Sequence, residues 1–164
     1  MLNVVITLGL IVGSNALQWE ANSPGEILPN ALGLNANTNT LKYFCKFPDG
    51  VIGVVSNNKD ICQGVKDGEY VSTGDFSVLT STSNEEVDWK YCSEAPTTAI
   101  SCDLQVTSEG DCHFGQSVYS DGICHESIGP IQDGVVNMVV KKRPSRCPFK
   151  LYLVSGKAQD GTCT

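Results

Sequence analysis

No Cys-x-x-Cys pair occurs anywhere in the 164 residues, which removes the common zinc-ribbon and thioredoxin arrangements. Gly-x-Ser-x-Gly, His-Glu-x-x-His and Walker sequences are absent as well, so the familiar hydrolase, metalloprotease and nucleotide signatures are missing. No apolar stripe is sustained at helical spacing, so helices are not expected. Behind the amino-terminal leader, no run approaches the roughly twenty apolar residues of a spanning helix. Asn-x-Ser/Thr is also missing, so no N-glycosylation site is predicted. Positive charge is scarce, with 11 Lys and Arg against 18 Asp and Glu and a formal net charge of −7. Such a surface repels phosphate backbones, and nucleic acid is not an expected partner.

Cysteine, by contrast, is plentiful. Cys45 and Cys62 fall in the first half of the chain; Cys92, Cys102, Cys112, Cys124, Cys147 and Cys163 fall in the second. An even count behind an apolar leader reads as a disulfide framework made in an oxidising compartment. Both halves hold an even number, so every bridge can stay within its own half. Met1 to about Val12 is apolar apart from Asn3 and Thr7, and Ser14-Asn15-Ala16 supplies small residues for cleavage. That pattern predicts a secretory signal peptide over residues 1–16 and an extracellular mature protein beginning near Leu17. Apolar residues make up 41% of the chain, enough to bury a core.

The rest of the sequence reads as short strands punctuated by Gly, Asn, Asp and Pro. Expected strands are Leu41 to Phe47, Val51 to Ser56, Glu69 to Thr73, Phe76 to Ser81, Glu86 to Cys92, Ala99 to Val106, Cys112 to Tyr119, Gly134 to Lys142 and Phe149 to Ser155. Leu41 to Val55 is the clearest hairpin, two runs joined at Pro48-Asp49-Gly50. A similar order returns about seventy residues later. Trp19, Pro29 and Ala31 recur as Trp89, Pro96 and Ala99. Tyr43-Phe44-Cys45-Lys46 matches His113-Phe114-Gly115-Gln116, Asp49-Gly50 matches Asp121-Gly122, and Phe76-Ser77-Val78-Leu79 matches Phe149-Lys150-Leu151-Tyr152. The fold class expected is therefore all-β: two tandem repeats that can interlock, 17–88 and 89–164, related by a pseudo-two-fold and cross-linked by disulfides. A unit of this size buries little surface alone, so the copies should pack on each other.

At these residues the chain resembles the DM-nine repeat family, whose repeats usually come in tandem pairs. Trp19 and Gly25-Glu26-Ile27-Leu28-Pro29-Asn30-Ala31 resemble its opening element. Tyr43-Phe44-Cys45-Lys46-Phe47 is similar to its Tyr-Val-Cys-Arg-Ala strand, and Phe76-Ser77-Val78-Leu79 to its closing strand. The second copy is looser. The resemblance implies a lectin-like binder of mannose-type sugars that takes part in microbe recognition. It places sugar contacts on a polar residue in the loop before the Tyr strand, here Asn35 or Asn37, and on the lysine of a Pro-Gly-Lys turn. The latter position is Val54 here, which donates nothing; Lys59 is a substitute only if its loop folds back. Glu126-Ser127-Ile128 lacks the lysine too.

A sugar site needs polar side chains that donate and accept, with an apolar or aromatic face beside them. The candidates are Asn35, Asn37, Lys46, Asp49, Lys59, Gln116 and Asp121, with Lys46 and Gln116 at matching strand positions. Asn and Asp near turns also read as plain turn formers, and Trp19 and Trp89 as core residues. Lys141-Lys142-Arg143, with Arg146 and Lys150, reads either as a solvated face or as an anion site. His113 and His125 each adjoin a cysteine expected to be oxidised, which leaves a Cys-His catalytic pair without its thiolate. Neither an enzyme, a cofactor nor a metal site is expected. The main expectation is a secreted glycan-binding module. The alternative is a secreted cysteine-rich protein-interaction factor, such as a protease inhibitor or effector, without sugar binding.

Overall fold

Thirteen strands and no helix make up the described residues of the computed structural model, which are 17–22, 25–26, 28, 29–34, 42–56, 60–81, 87–117, 127–148, 150–156 and 163. The first sheet holds β1 (Leu17–Ala21), the two-residue β2 (Gly33–Leu34), β3 (Lys42–Lys46), β4 (Ile52–Ser56), β5 (Cys62–Lys66), β6 (Glu69–Thr73) and β7 (Ser77–Ser81). Its order is β1-β7-β3-β4-β5-β6, with β2 beside β3. The second sheet holds β8 (Val87–Tyr91), β9 (His113–Ser117), β10 (Ile128–Gln132), β11 (Val135–Val140), β12 (Arg143–Cys147) and β13 (Lys150–Ser155). Its order is β12-β11-β10-β9-β13-β8. Replacing each first-sheet strand by its counterpart reproduces that order. All pairings are antiparallel. The chain is all-β, and it is built from two similar halves.

The repeat extends to individual hydrogen bonds. Trp19 pairs with Leu79, and Trp89 with Leu153. Cys45 pairs with Gly53 and Val78; Gly115 pairs with Gly129 and Tyr152. Leu32 donates to the Leu79 carbonyl and its own carbonyl accepts from Phe44; Ile100 does the same between Leu153 and Phe114. These ladders make Val78 the counterpart of Tyr152, not of Leu151, so the expected match of Phe76 with Phe149 is one residue out. A slip of one exchanges the two faces of a strand. The position of buried Phe76 is taken by Lys150, whose ammonium donates to the Gly134 carbonyl at 2.8 Å. Similarly, Ala31 and Ala99 donate to the carbonyls of Leu28 and Pro96, so Pro96 takes the place of Leu28 and not of Pro29.

Three further strands differ from expectation for physical reasons. Ala99 to Val106 is not a strand but a narrow excursion. Ile100 bridges Val106, and the turn passes through Leu104 at φ 63°. Its apolar alternation comes from Ile100 and Leu104 on the shared core and from Val106, which bridges Ile100 across a fold-back and is exposed. β12 is polar and carries Pro144, tolerable because β12 is an edge strand. β10 carries Pro130 inside the sheet, at a point where pairing to β11 has stopped at Ile131. A missing N–H therefore leaves that ladder intact.

The two sheets stack with β4 over β10, β5 over β11 and β6 over β12. No strand is exchanged between them among the described residues, so the halves interlock by packing. The shared core contains Leu17, Phe44, Ile52 and Leu79 from the first half, with Ile100, Phe114, Ile128 and Leu153 from the second. Phe44 meets Phe114 edge-on at 4.8 Å, and each is fully buried. Trp19 lies on Phe114 at 5.8 Å while Trp89 lies on Phe44 at 6.3 Å, as a two-fold axis between the phenyl rings requires. Each half also has its own smaller cluster, around Phe47, Val55 and Phe76 in one and Ile131, Met138 and Tyr152 in the other.

Cross-links then fix each half separately. Cys45–Cys62, Cys92–Cys163 and Cys102–Cys112 all join residues of one half. Cys147 is disulfide-bonded as well, and Cys124 lies outside the described residues. Cys45 and Cys62 come within 6.0 Å at Cα although β4 runs between their strands, whereas flat strands two apart are about 9.6 Å away. The sheet must curl sharply there, and Gly53 makes this possible. A Cβ at Gly53 would collide with the Gln63 carbonyl, and one at its counterpart Gly129 with the Asn137 carbonyl. The predicted signal peptide, residues 1–16, lies outside the described residues. No described helix is long and apolar enough to cross a membrane.

Candidate functional site

A cleft with a volume of about 580 Å³ runs between the halves. One wall is Gly50, Val51 and Ile52 at the start of β4, with Val65 from β5. The facing wall is the excursion from Ser101 to Cys112, closed at its base by the Cys102–Cys112 bridge. Asp103, Gln105, Glu109 and Asp111 bring polar side chains to it, and Gln132 joins them from β10. Its excursion is held by its own backbone bonds, Ser101 donating to the Gln105 carbonyl and Leu104 to the Ser101 carbonyl. The Ser101 hydroxyl also accepts from the Gln105 amide N–H at 3.2 Å. Amides that donate and accept thus face carboxylates that only accept, beside an aliphatic wall. No Lys or Arg is among the lining residues, so the cleft suits neutral or cationic ligands and repels anions.

By the repeat, this excursion is the counterpart of the loop that leads into β3. The Leu32–Ile100 correspondence, carried three and five residues on, sets Asp103 and Gln105 opposite Asn35 and Asn37. Those two asparagines lie outside the described residues, as do Lys59 and Asp121. Asp103 and Gln105 were missed as candidates although the Ala31–Ala99 offset points to them. The opposing signal was the apparent alternation of Ala99 to Val106, which suggested a strand where there is a loop.

The remaining candidates do not gather in one place. The Lys46 ammonium lies 5.6 Å from the centre of the Trp19 ring, a cation–π contact. A pocket of about 300 Å³ there is lined by first-half residues, including Phe47, Asp75 and Phe76. Gln116, its counterpart, sits half-buried in β9 between Ile128 and Leu151. Asp49 caps its own turn, accepting from the Val51 N–H at 3.3 Å, and pairs with Lys66 at 2.9 Å. The Lys66 bond holds the Asp49 carboxyl below the ordinary aspartate value and raises the Lys66 ammonium above its own. Both side chains are about half exposed, 51% and 48%, so water screens the pair. Asp49 is a turn former.

Val54 lies in β4 against the shared core and offers no donor. A lysine does stand nearby. Lys42 lines a small pocket of about 60 Å³ with Val54 and Ser127, and donates to the Ser127 hydroxyl at 3.2 Å. Burial lowers its pKa from the ordinary lysine value. Lys42 was not among the expected residues; its place one step before Tyr43 was the available signal.

His113 is buried, edge-on to Tyr152 at 5.9 Å, and its Nε2 lies 2.9 Å from the Thr107 carbonyl. A carbonyl only accepts, so Nε2 carries the proton and is engaged in structure. Burial, with the Glu94 charge as a smaller cause, pushes the Tyr152 hydroxyl upward. No cluster of three or more metal-type ligands occurs among the described residues. Comparison with models of known protein families and with curated proteins finds no match.

Proposed function

We propose that this is a secreted, lectin-like binding protein of the DM-nine repeat type that recognises mannose-type glycans on microbial or other cell surfaces. The observation that carries this reading is the inter-half cleft. It sets Asp103, Gln105 and Gln132 opposite Val51 and Ile52, polar groups for hydroxyls and aliphatic carbons for the C–H face of a sugar ring. Disulfide cross-links on both walls' elements limit the ordering cost of binding. They also fit an extracellular setting.

A glycan array probed with the mature protein tests the reading. The expected result is saturable mannose binding that weakens about tenfold or more in Asp103→Ala, the scale of a hydrogen bond to a charged group, and about fivefold in Gln105→Ala, the scale of a neutral one. Asn35→Ala and Asn37→Ala test the corresponding loop of the first half. Val54 favours a second reading, a cysteine-rich protein-interaction factor, because it replaces the lysine that the family resemblance would use for sugar. Silence across the array, together with capture of a single protein partner, would establish that reading instead.

A further inference from the structure

We propose that the tip of the β11–β12 hairpin docks a sulfated polysaccharide, at a place separate from the cleft. Lys141, Lys142 and Arg143 are consecutive and exposed at the turn, and Arg146 is exposed farther along β12. Every other described cation is engaged. Lys42 bonds Ser127, Lys46 covers Trp19, Lys66 pairs with Asp49, Lys150 bonds the Gly134 carbonyl, and Lys90 has an interaction of its own. Among the described residues the four hairpin cations meet no side-chain partner, in a protein whose net charge is −7.

The backbone of the turn supplies an independent observation. Lys141 and Lys142 both hold left-handed conformations, at φ 49° and 59°. A two-residue hairpin turn of this form favours Asn-Gly or Asp-Gly. The protein uses Asp67-Gly68 at the corresponding turn of the first half and Asp133-Gly134 one turn earlier. At this one turn it keeps two lysines where the backbone disfavours them, the kind of local cost that points to a role for the side chains.

The chemistry of the tip selects among polyanions. Apart from the small ring of Pro144, Lys-Lys-Arg-Pro offers no exposed apolar group to enter a bilayer, and Ile61, Tyr91 and Val106, the large exposed apolar residues described, lie on other segments. A duplex nucleic acid or a flat anionic membrane would meet the acidic remainder of the surface. A thin sulfated chain can touch the tip alone. The acidic cleft begins at Gln132, at the far end of β11. Six strand residues separate the two sites by about 17–20 Å, beyond a Debye length of about 8 Å in physiological salt. Neutral and sulfated glycans would therefore be received at different ends of one hairpin.

Retention on immobilised heparin tests the proposal, with phosphatidylserine vesicles and duplex DNA as competing probes. The wild-type protein should bind heparin at about 0.1 M salt and release as salt rises. Lys141→Asn with Lys142→Gly suits the turn's backbone while removing two charges. It should weaken heparin binding about tenfold or more while the thermal midpoint stays level or rises. Arg143→Ser with Arg146→Ser should weaken binding similarly, and neither pair should alter mannose binding. The proposal is overturned if wild-type protein is not retained, if both double variants bind as wild type does, or if vesicles or DNA are held as firmly as heparin.

Discussion

The first and second halves share a hydrogen-bond frame yet differ in how their loops are held. Leu32 and Ile100 thread between the same pair of strands, and Trp19 and Trp89 cover each other's phenyl partners. The cross-links do not follow this symmetry. Cys45 faces Gly115 in the comparison, and the first half bridges across β4 to Cys62. The second half spends one bridge, Cys102–Cys112, on the excursion before β9, and another, Cys92–Cys163, on the segment after β8. Ladders and a common core are thus sufficient to define the frame twice. Disulfides can therefore sit on different segments in the two copies, and in the second half one of those segments is a wall of the cleft.

The sharpest way to break the comparison is to remove either phenyl ring on the axis. Phe44→Ala and Phe114→Ala should each cost about 3–5 kcal/mol of unfolding free energy, because both rings are fully buried. Chemical denaturation should give similar values for the two, and the double variant should cost less than their sum since they touch. Clearly unequal costs would mean that one half dominates the core.

A smaller effect should fall on one half alone. Cys102→Ser with Cys112→Ser opens a loop of ten residues' separation, for which chain entropy gives about 2.7 kcal/mol. Hydrogen exchange should rise over 101–112 while β1 to β7 stay protected. Loss of protection throughout would show that the halves do not hold their loops independently.

The smallest effect concerns the Asp49–Lys66 pair; Val140 stands in the place of Lys66 in the second half. The Asp49 carboxyl titrates below the ordinary aspartate value. Its contribution to stability is therefore present above that ordinary value and fades as pH falls through the lowered one. Carbon-detected titration by nuclear magnetic resonance should show Asp49 returning toward the ordinary value in Lys66→Met. Exposure of both groups keeps any change in thermal midpoint near the limit of detection.

Much of the frame could be read from residue patterns because strand formation is local. Period-two alternation and the Pro48-Asp49-Gly50 turn placed β3 and β4, and Glu69 to Thr73 was found to the residue. β1, β2, β5, β10 and β12 were not expected. They are short, or carry Gly64, Pro130 or Pro144, and owe their extended form to neighbouring ladders more than to their own composition. Of the candidate site, residue chemistry offered Asp49 as a turn former or a ligand, and its bond to the Val51 N–H lies within the turn. It missed Asp103 and Gln105, because Leu104 at φ 63° reverses the chain where alternation suggested a straight run.

By itself the sequence determined the class of fold and the duplication, which rest on alternation and on repeated order, and its cysteine count allowed each half to keep its own cross-links. Tertiary structure decided the register of the second copy, the residues that line the cleft and the exposure of the four hairpin cations. Those depend on which distant strands pair and which charges meet, and such contacts leave no mark in local spacing.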